Sequence, residues 1–382
     1  MLVPLGNDPR PFDWGSTTLI AQLEGRPEAA QPEAEVWFGD HAADAADVRD
    51  GSGRTLDEWI RQEGVEVGPD GRLPYLLKIL AAEKSLSIQA HPTKRQAEEG
   101  FAAERDLPDS APRNYTDDNH KPEMIVALRD GFVALCGLRD IEATARLLAQ
   151  LGDAAAPLAA RIRDDASLAD AIAWLLSGDA QPVVDAIIAA LDAARSVEFA
   201  PDLANARRNA AQFPGDPGVV VGLLMNIVTL ARGEALFLRA GQLHAYQWGI
   251  GIEIMAASDN VMRGGLTPKH IDAGELMTVL ERRSGSVPVV RAQEAAEAPG
   301  FVEYPSDAPD FRLLAARVSG SDTARLEPSG TAIVLCTAGR VSVAAGEAAE
   351  TLDAGRAVLV TTGEALVEVS GDGEVFVAQP GA

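Results

Sequence analysis

Three short segments of this chain hold side chains whose types and spacing could do metal and acid–base chemistry. In Leu86-Ser87-Ile88-Gln89-Ala90-His91, an extended backbone would set Ser87, Gln89 and His91 on one face and Leu86, Ile88 and Ala90 on the other. A histidine two residues from a neutral amide oxygen is half of a nitrogen–oxygen metal site. A strand with one solvated polar face would read the same way. In Asp117-Asp118-Asn119-His120-Lys121-Pro122-Glu123, Pro122 favours extended backbone at Lys121, so Lys121 and Glu123 project together. An ordinary charged surface loop is the competing reading. In the third segment Gly233 is followed by five residues, Arg239-Ala240-Gly241, two residues and His244; the glycines permit tight turns that would aim the imidazole inward. Beyond it, strand-like residues from Glu253 give way to a glycine-containing loop with Asp259, Arg263 and Lys269. Arg263 and Lys269 in so acidic a chain suggest an anion subsite, with a salt-bridged structural loop as the alternative.

The chain of 382 residues carries a formal charge of −24, from 57 Asp+Glu against 33 Lys+Arg. Such a surface repels phosphate backbones and anionic lipid heads, so neither nucleic acid nor membrane is an expected partner. Lysine supplies only five of the 33 cations, at positions 78, 84, 94, 121 and 269. The five histidines, His41, His91, His120, His244 and His270, fall in nearly the same band. Ammonium and imidazole differ from guanidinium in shape and titration, so the band marks where chemistry is expected. Cys136 and Cys336 are too few for a disulfide framework or a thiolate cage. With no signal-peptide pattern in MLVPLGNDPR, a cytoplasmic location is expected.

The elements that must position these residues change character along the chain. Residues 1–137 read as short strands broken by turns, among them Glu35–Phe38, Tyr75–Leu80, Leu86–Ala90 and Met124–Leu128. From Ile141 to about residue 212, Leu147, Leu148, Leu151, Leu168, Ile172, Leu175, Val184, Ile187 and Leu191 recur at helical spacing in alanine-rich sequence. PGDPG at 214–218 ends that block, and one further helix is expected over about 219–231. The last hundred residues read as short strands between glycine-rich turns: Ala332–Cys336, Arg340–Val343, Ala357–Val360, Ala365–Val369 and Glu374–Ala378. Regular spacing of this kind suits a jelly roll. No histidine follows His270, so this region is not expected to hold a metal.

The Gly233–His244 spacing resembles the second cupin motif, with Arg239 in place of its proline and Trp248 in place of its asparagine. The strings YLLKILAAEKSLSIQAHP, NHKPEMIVAL, PGDPGVVVGLLMN, GEALFLRAGQLHAY and EIMAASDNVMRGGLTPKHID closely resemble the type I phosphomannose isomerase family, in order, from about residue 12 to 275. That resemblance implies a mainly β fold of tandem cupin barrels with an α-helical insertion. The expected limits are a discontinuous catalytic domain at 1–140 and 214–285, an insertion at 141–213, and a metal-free β domain at 286–382. It implies one Zn2+ held by Gln89, His91, Glu123 and His244. It implies interconversion of mannose 6-phosphate and fructose 6-phosphate through an enediol(ate); separately, a monomer is expected. Arg263 would stabilise developing negative charge; Lys121, Asp259, Glu253, His120 and Lys78 match pocket positions; Ser87 and Lys269 match phosphate contacts. Gln247 and Trp248 depart from the family beside a ligand, which leaves the pocket's shape open. A related phosphosugar enzyme and a non-catalytic sugar sensor are the alternatives.

Overall fold

Residues 1–68, 71–108, 111–363 and 366–381 are described by the computed structural model. Nearly all strand pairing is antiparallel, in two ten-stranded sheets. One forms the barrel that carries the site. Its key strand, His244–Ala256, bends at a bulge between Tyr246 and Trp248. Its first half pairs with Phe132–Leu138 and its second half with Tyr75–Ala82 and Glu123–Ala127. A bulge adds one residue and so reverses the alternation of faces. His244 and Tyr246 therefore share the interior with Glu253.

Each wall of this barrel is covered from outside. In Tyr75–Ala82, Leu80 and Ala82 fill the interior with Ile125, Phe132 and Leu236, while Tyr75, Leu77, Ile79 and Ala81 face away. The outward set joins Val36, Phe38, Val126, Ile252 and Ile254 against Phe311, Leu335, Leu359 and Phe376 of the C-terminal barrel. The opposite wall presents Leu135, Leu243 and Ala245 to the helices. Strands buried on both faces read as nearly continuous apolar runs, as these do.

The helical block comprises Ile141–Ala149, Asp165–Leu176, Gln181–Ala190, Ala200–Gln212 and shorter turns between them. Asp140 and Asp164 cap two of these helices by accepting from the Ala143 and Ser167 amides. No single described helix is long and apolar enough to cross a membrane. The helix expected over 219–231 is instead a helix at Gly218–Leu223 and a strand at Met225–Leu230 paired with Phe132–Leu138. β-branched Ile227, Val228 and Thr229 favour the extended state once a neighbouring strand offers hydrogen bonds. Asp216 receives the amides of Gly218, Leu266 and Thr267, and a Cβ on Gly265 would meet the Gly218 Cα at 2.4 Å. The end of the helical block is thereby locked to the loop that carries Arg263 and Lys269.

In the C-terminal barrel the expected pairs of short strands merge into two long ones, Ala332–Ala345 and Val367–Gln379. Gly339, at φ 70°, sits in a bulged ladder rather than a turn. The expected strand start at Ala365 lies outside the described residues. Valines, among them Val334, Val343, Val358, Val369 and Val377, fill the interior of this barrel. The strand Leu2–Gly6 pairs with Ala357–Val360, so the chain begins in the C-terminal sheet although the sequence reading puts it with the catalytic domain. Val290–Arg291, conversely, pairs with Glu234–Leu238 of the catalytic barrel.

Candidate metal centre and sugar-phosphate pocket

His91, Glu123 and His244 come from three separate segments and are each at most 1% exposed. Their candidate ligand atoms all lie within 4.8 Å of one another. His91 Nδ1 lies 2.6 Å from the Asn260 carbonyl and His244 Nδ1 2.9 Å from the Gln242 carbonyl. A carbonyl can only accept, so each Nδ1 carries the proton and each Nε2 presents a lone pair to the centre. His91 Nε2 is 3.4 Å from Glu123 Oε1 and His244 Nε2 is 3.2 Å from Glu123 Oε2. Neither nitrogen, nor Glu123 Oε2, has a hydrogen-bond partner. Three unsatisfied buried acceptors facing one point are costly unless a cation fills it, so the residues present fit a metal ion. Burial pushes the His91 imidazole down to about 4, which keeps it in the neutral, ligating form. Burial opposes charge on Glu123, but the Lys121 ammonium beside it holds the carboxyl well below the usual range.

Gln89 occupies the two-residue strand Gln89–Ala90, directly opposite His244 on one side and Arg263 on the other. Residues in register across antiparallel strands share a face, so Gln89, His244 and Arg263 stand in a row. Ala90 and Met262 take the other face, in the core shared with the helices. Only Gln89–Ala90 of the expected strand 86–90 is regular: Ile88 is buried with Ala90 and Ser87 is partly exposed, as alternation requires, but Leu86 packs with the barrel interior instead of with Ile88 and Ala90.

Beside the ligands lies a buried ionic network. Lys121 Nζ is 2.6 Å from Glu123 Oε1. Lys78 Nζ is 3.0 Å from Glu253 Oε2 and 3.7 Å from Glu35 Oε1, and sits 4.8 Å from the Trp37 ring centre. Burial disfavours the Lys78 ammonium, but Glu253, Glu35 and Glu123 more than compensate and hold it charged. Burial pushes the Glu253 carboxyl up, with Lys78 opposing. Asp259 is half-exposed and lies 3.4 Å from His41 Nε2, whose hydrogen bond keeps the carboxyl below its ordinary range. Half-buried Arg263 makes no ion pair among the described residues. It lines a cavity of about 220 Å³ together with Arg113, exposed Lys269 and His270. Ser87 is not among that cavity's lining residues.

Two expectations change. His120 does not face this pocket: its Nε2 lies 2.8 Å from Asp310 Oδ2 of the C-terminal barrel. Extended backbone alternates, so with Lys121 and Glu123 inward His120 must point out. Gln247 and Trp248 also leave the pocket, because they occupy the bulge. Gln247 accepts from Asn205 and Asn209 of the helical block and donates to Ser85, and Trp248 is 39% exposed beside Arg208. The sequence reading missed Glu35, Trp37, His41 and Asn260. Glu35 and Trp37 alternate with Val36 and Phe38, a readable signal; His41 lies in the histidine band. Asn260 gave no signal, since it acts through its carbonyl on His91 while its side chain ties down the loop at Thr116–Asn119.

Comparison with known proteins agrees with this geometry. Residues 2–141 match the family model of the phosphomannose isomerase type I catalytic domain. The chain is 32% identical over 387 residues to mannose-6-phosphate isomerase of Salmonella typhimurium, covering 97% of each. It is 33% identical over 361 residues to that of Homo sapiens, covering 84% of this chain and 83% of the other. Among solved structures, the Salmonella typhimurium mannose 6-phosphate isomerase bound to substrate (f6p) and zinc superposes with a TM-score of 0.89, at 29% identity and with complete coverage of both chains.

Proposed function

This chain belongs to the mannose-6-phosphate isomerase family, and we infer that it is a zinc-dependent aldose–ketose isomerase interconverting mannose 6-phosphate and fructose 6-phosphate. The observation that carries the reading is the buried trio of unsatisfied ligand atoms on His91, Glu123 and His244, set beside two buried lysines. Gln89, on the same face as His244, completes the proposed ligand set. Zinc bound there would supply Lewis acidity to the oxygens at C1 and C2. Glu35, Glu123 and Glu253 against Lys78 and Lys121 leave the pocket formally −1, so a dication makes it +1, suited to a dianionic ester.

The remaining roles follow from charge and place. Lys269, which lines a cavity with Arg263, is our candidate for the phosphate, and Ser87, outside that cavity's lining, is proposed as a hydroxyl partner. Arg263, beside Gln89 and without a carboxylate of its own, is free to stabilise negative charge developing on the enediolate oxygens. Lys78 stays an ammonium and so orients and donates rather than abstracts. Glu253 is the carboxyl whose affinity for a proton burial raises, and it is our candidate for carrying the proton between C1 and C2. Lys121 offsets Glu123 and points a further donor at the sugar. Asp259, paired with His41, borders the pocket mouth.

A coupled assay for fructose 6-phosphate formed from mannose 6-phosphate tests the reading. The zinc-loaded protein should turn over, and exhaustive chelation should abolish turnover until zinc is restored. No product from zinc-loaded protein, or turnover indifferent to chelation, would refute it. We further read the chain as a cytoplasmic monomer, in keeping with its two free, buried cysteines. Light scattering would check the oligomeric state.

A further inference from the structure

We propose that Asp310, on the C-terminal barrel, is a positioning residue for the catalytic site: acting through His120, it fixes the extended segment that presents Lys121. The proposal rests on the isomerase reading above and assigns the second barrel a part in it.

Backbone bonds hold the segment from Asn119 to Pro122 at its two ends. The Asn119 carbonyl accepts from Ser258 Oγ at 3.1 Å and Asn260 Nδ2 at 2.9 Å, and the Pro122 carbonyl accepts from the Ala256 amide at 3.1 Å. Pro122 has no amide hydrogen, so that side of the segment loses a possible tie. Between the two ends, the His120 side chain is the contact that stops the segment from rotating about its own length. It meets Asp310 at 2.8 Å with both side chains largely covered, at 20% and 13% exposure. Rotation about that axis is the motion that would swing Lys121 off target, because it lies on the side opposite His120, whereas Glu123 is held in the sheet between Met255 and Leu238.

Asp310 is a rigid mount. It directly precedes Phe311, which is 0% exposed and packed in the core between the two barrels, and then the strand Arg312–Val318. The first barrel therefore receives this contact across an interface that is held elsewhere by the Arg232–Glu374 and Arg239–Asp307 ion pairs and by the Tyr75 hydroxyl on the Thr331 and Ala378 carbonyls. His91 and His244 have their own carbonyl partners at Asn260 and Gln242, and Glu123 is held in the sheet between Met255 and Leu238, so loss of the Asp310 contact should spare zinc binding and fall on Lys121.

The test uses the full-length, zinc-loaded chain and its variants D310A, H120A, H120Q and D310A/H120A. Measurements are kcat, KM for mannose 6-phosphate, zinc content and Tm. D310A should lower kcat about 10–100-fold, the size of effect a misplacement of about 1 Å produces. KM should stay within about threefold and zinc should stay stoichiometric. Because the two residues act as a unit, the double variant should be no slower than the slower single variant. H120Q, which keeps a donor at similar reach, should recover most of the loss in H120A. Should D310A fail to fold, D310N, which keeps an acceptor, should outpace D310L, which has none. D310A turning over within about twofold of the parent, losses that multiply in the double variant, or equal rates for D310N and D310L would overturn the proposal. An inactive parent chain would instead overturn the isomerase reading itself.

Discussion

Replacing Lys121 by methionine tests the charge balance of the site. The side chain is 10% exposed and its ammonium lies 2.6 Å from a Glu123 carboxylate that is 1% exposed. Without a metal, this lysine is the nearest cation to Glu123, and its removal leaves a buried carboxylate that must stay unpaired or take up a proton. Breaking a buried ion pair in this way costs about 3–5 kcal/mol. With zinc bound, the dication beside Glu123 supplies the missing positive charge, so most of that cost should vanish. For a chain of 382 residues, an unfolding entropy of about 2.1 cal/mol/K per residue sums to about 0.8 kcal/mol/K. A 3–5 kcal/mol loss thus lowers Tm by about 4–6 °C.

The assay is thermal unfolding of parent and K121M, each with excess chelator and with excess zinc. Chelated K121M should unfold about 4–6 °C below the chelated parent, while the zinc-loaded pair should differ by less than half of that. Zinc should therefore raise the Tm of K121M more than that of the parent. Equal zinc-induced shifts, or a chelated variant within about 1 °C of its parent, would refute the claim that Lys121 and the metal share the task of compensating Glu123. K121M should also be nearly inactive if the lost ammonium serves the sugar as proposed above.

Other consequences can be measured in parallel. Alanine at Arg263 should leave fold and zinc content intact but cut kcat about 100–1,000-fold, the usual loss on removing one preorganised donor to a developing oxyanion; near-parental turnover would remove Arg263 from that role. Alanine at His91 or His244 should abolish stoichiometric zinc by elemental analysis, and full occupancy in both would strike them from the ligand set. Stability of the chelated protein should fall with acid. The His91 imidazole is lowered in the fold to about 4 from 6.5, so between those values the unfolded chain binds more protons, and stability present above pH 6.5 drains away as pH drops toward 4. A flat denaturation profile across that window would contradict this. Q247A should destabilise the chain by about 1–3 kcal/mol, because it strands the Asn205 and Asn209 amides, while KM stays unchanged; a raised KM would put the bulge back in the pocket.

The facing of His91 and Glu123 could be read from local sequence, because alternation within a few residues sets it, while their joining with His244 in one ligand set came from the family resemblance. SIQAH and KPE worked in this way. Reading failed where a neighbour distant in sequence decided the outcome. Met225–Leu230 looked helical until the strand Phe132–Leu138 offered it a ladder. Gly339 looked like a turn until a bulge let Ala332–Ala345 run on through it. His120 was placed in the pocket with Lys121, although one step along an extended backbone reverses the direction of a side chain.

The strand Tyr75–Ala82 shows how a fold and a site can be legible in one run of residues. All eight of its residues are buried, because one face fills the barrel and the other packs on the C-terminal barrel. Such a strand has no solvated side on which a charge could rest, so Lys78 must find counter-charges inside or the strand could not take this place. The partners it finds, Glu253 from the paired strand and Glu35 from the strand on its other side, are both directed into the barrel by the same alternation. A lone lysine in an otherwise apolar strand therefore implies carboxylates on the flanking strands within its reach, here Glu253 directly opposite and Glu35 two residues along, opposite Leu80. Three neighbouring strands so charged cannot be a packed core, and what they enclose must be polar. The search for chemistry in a barrel of this kind is best begun from the charge that its own strand cannot solvate.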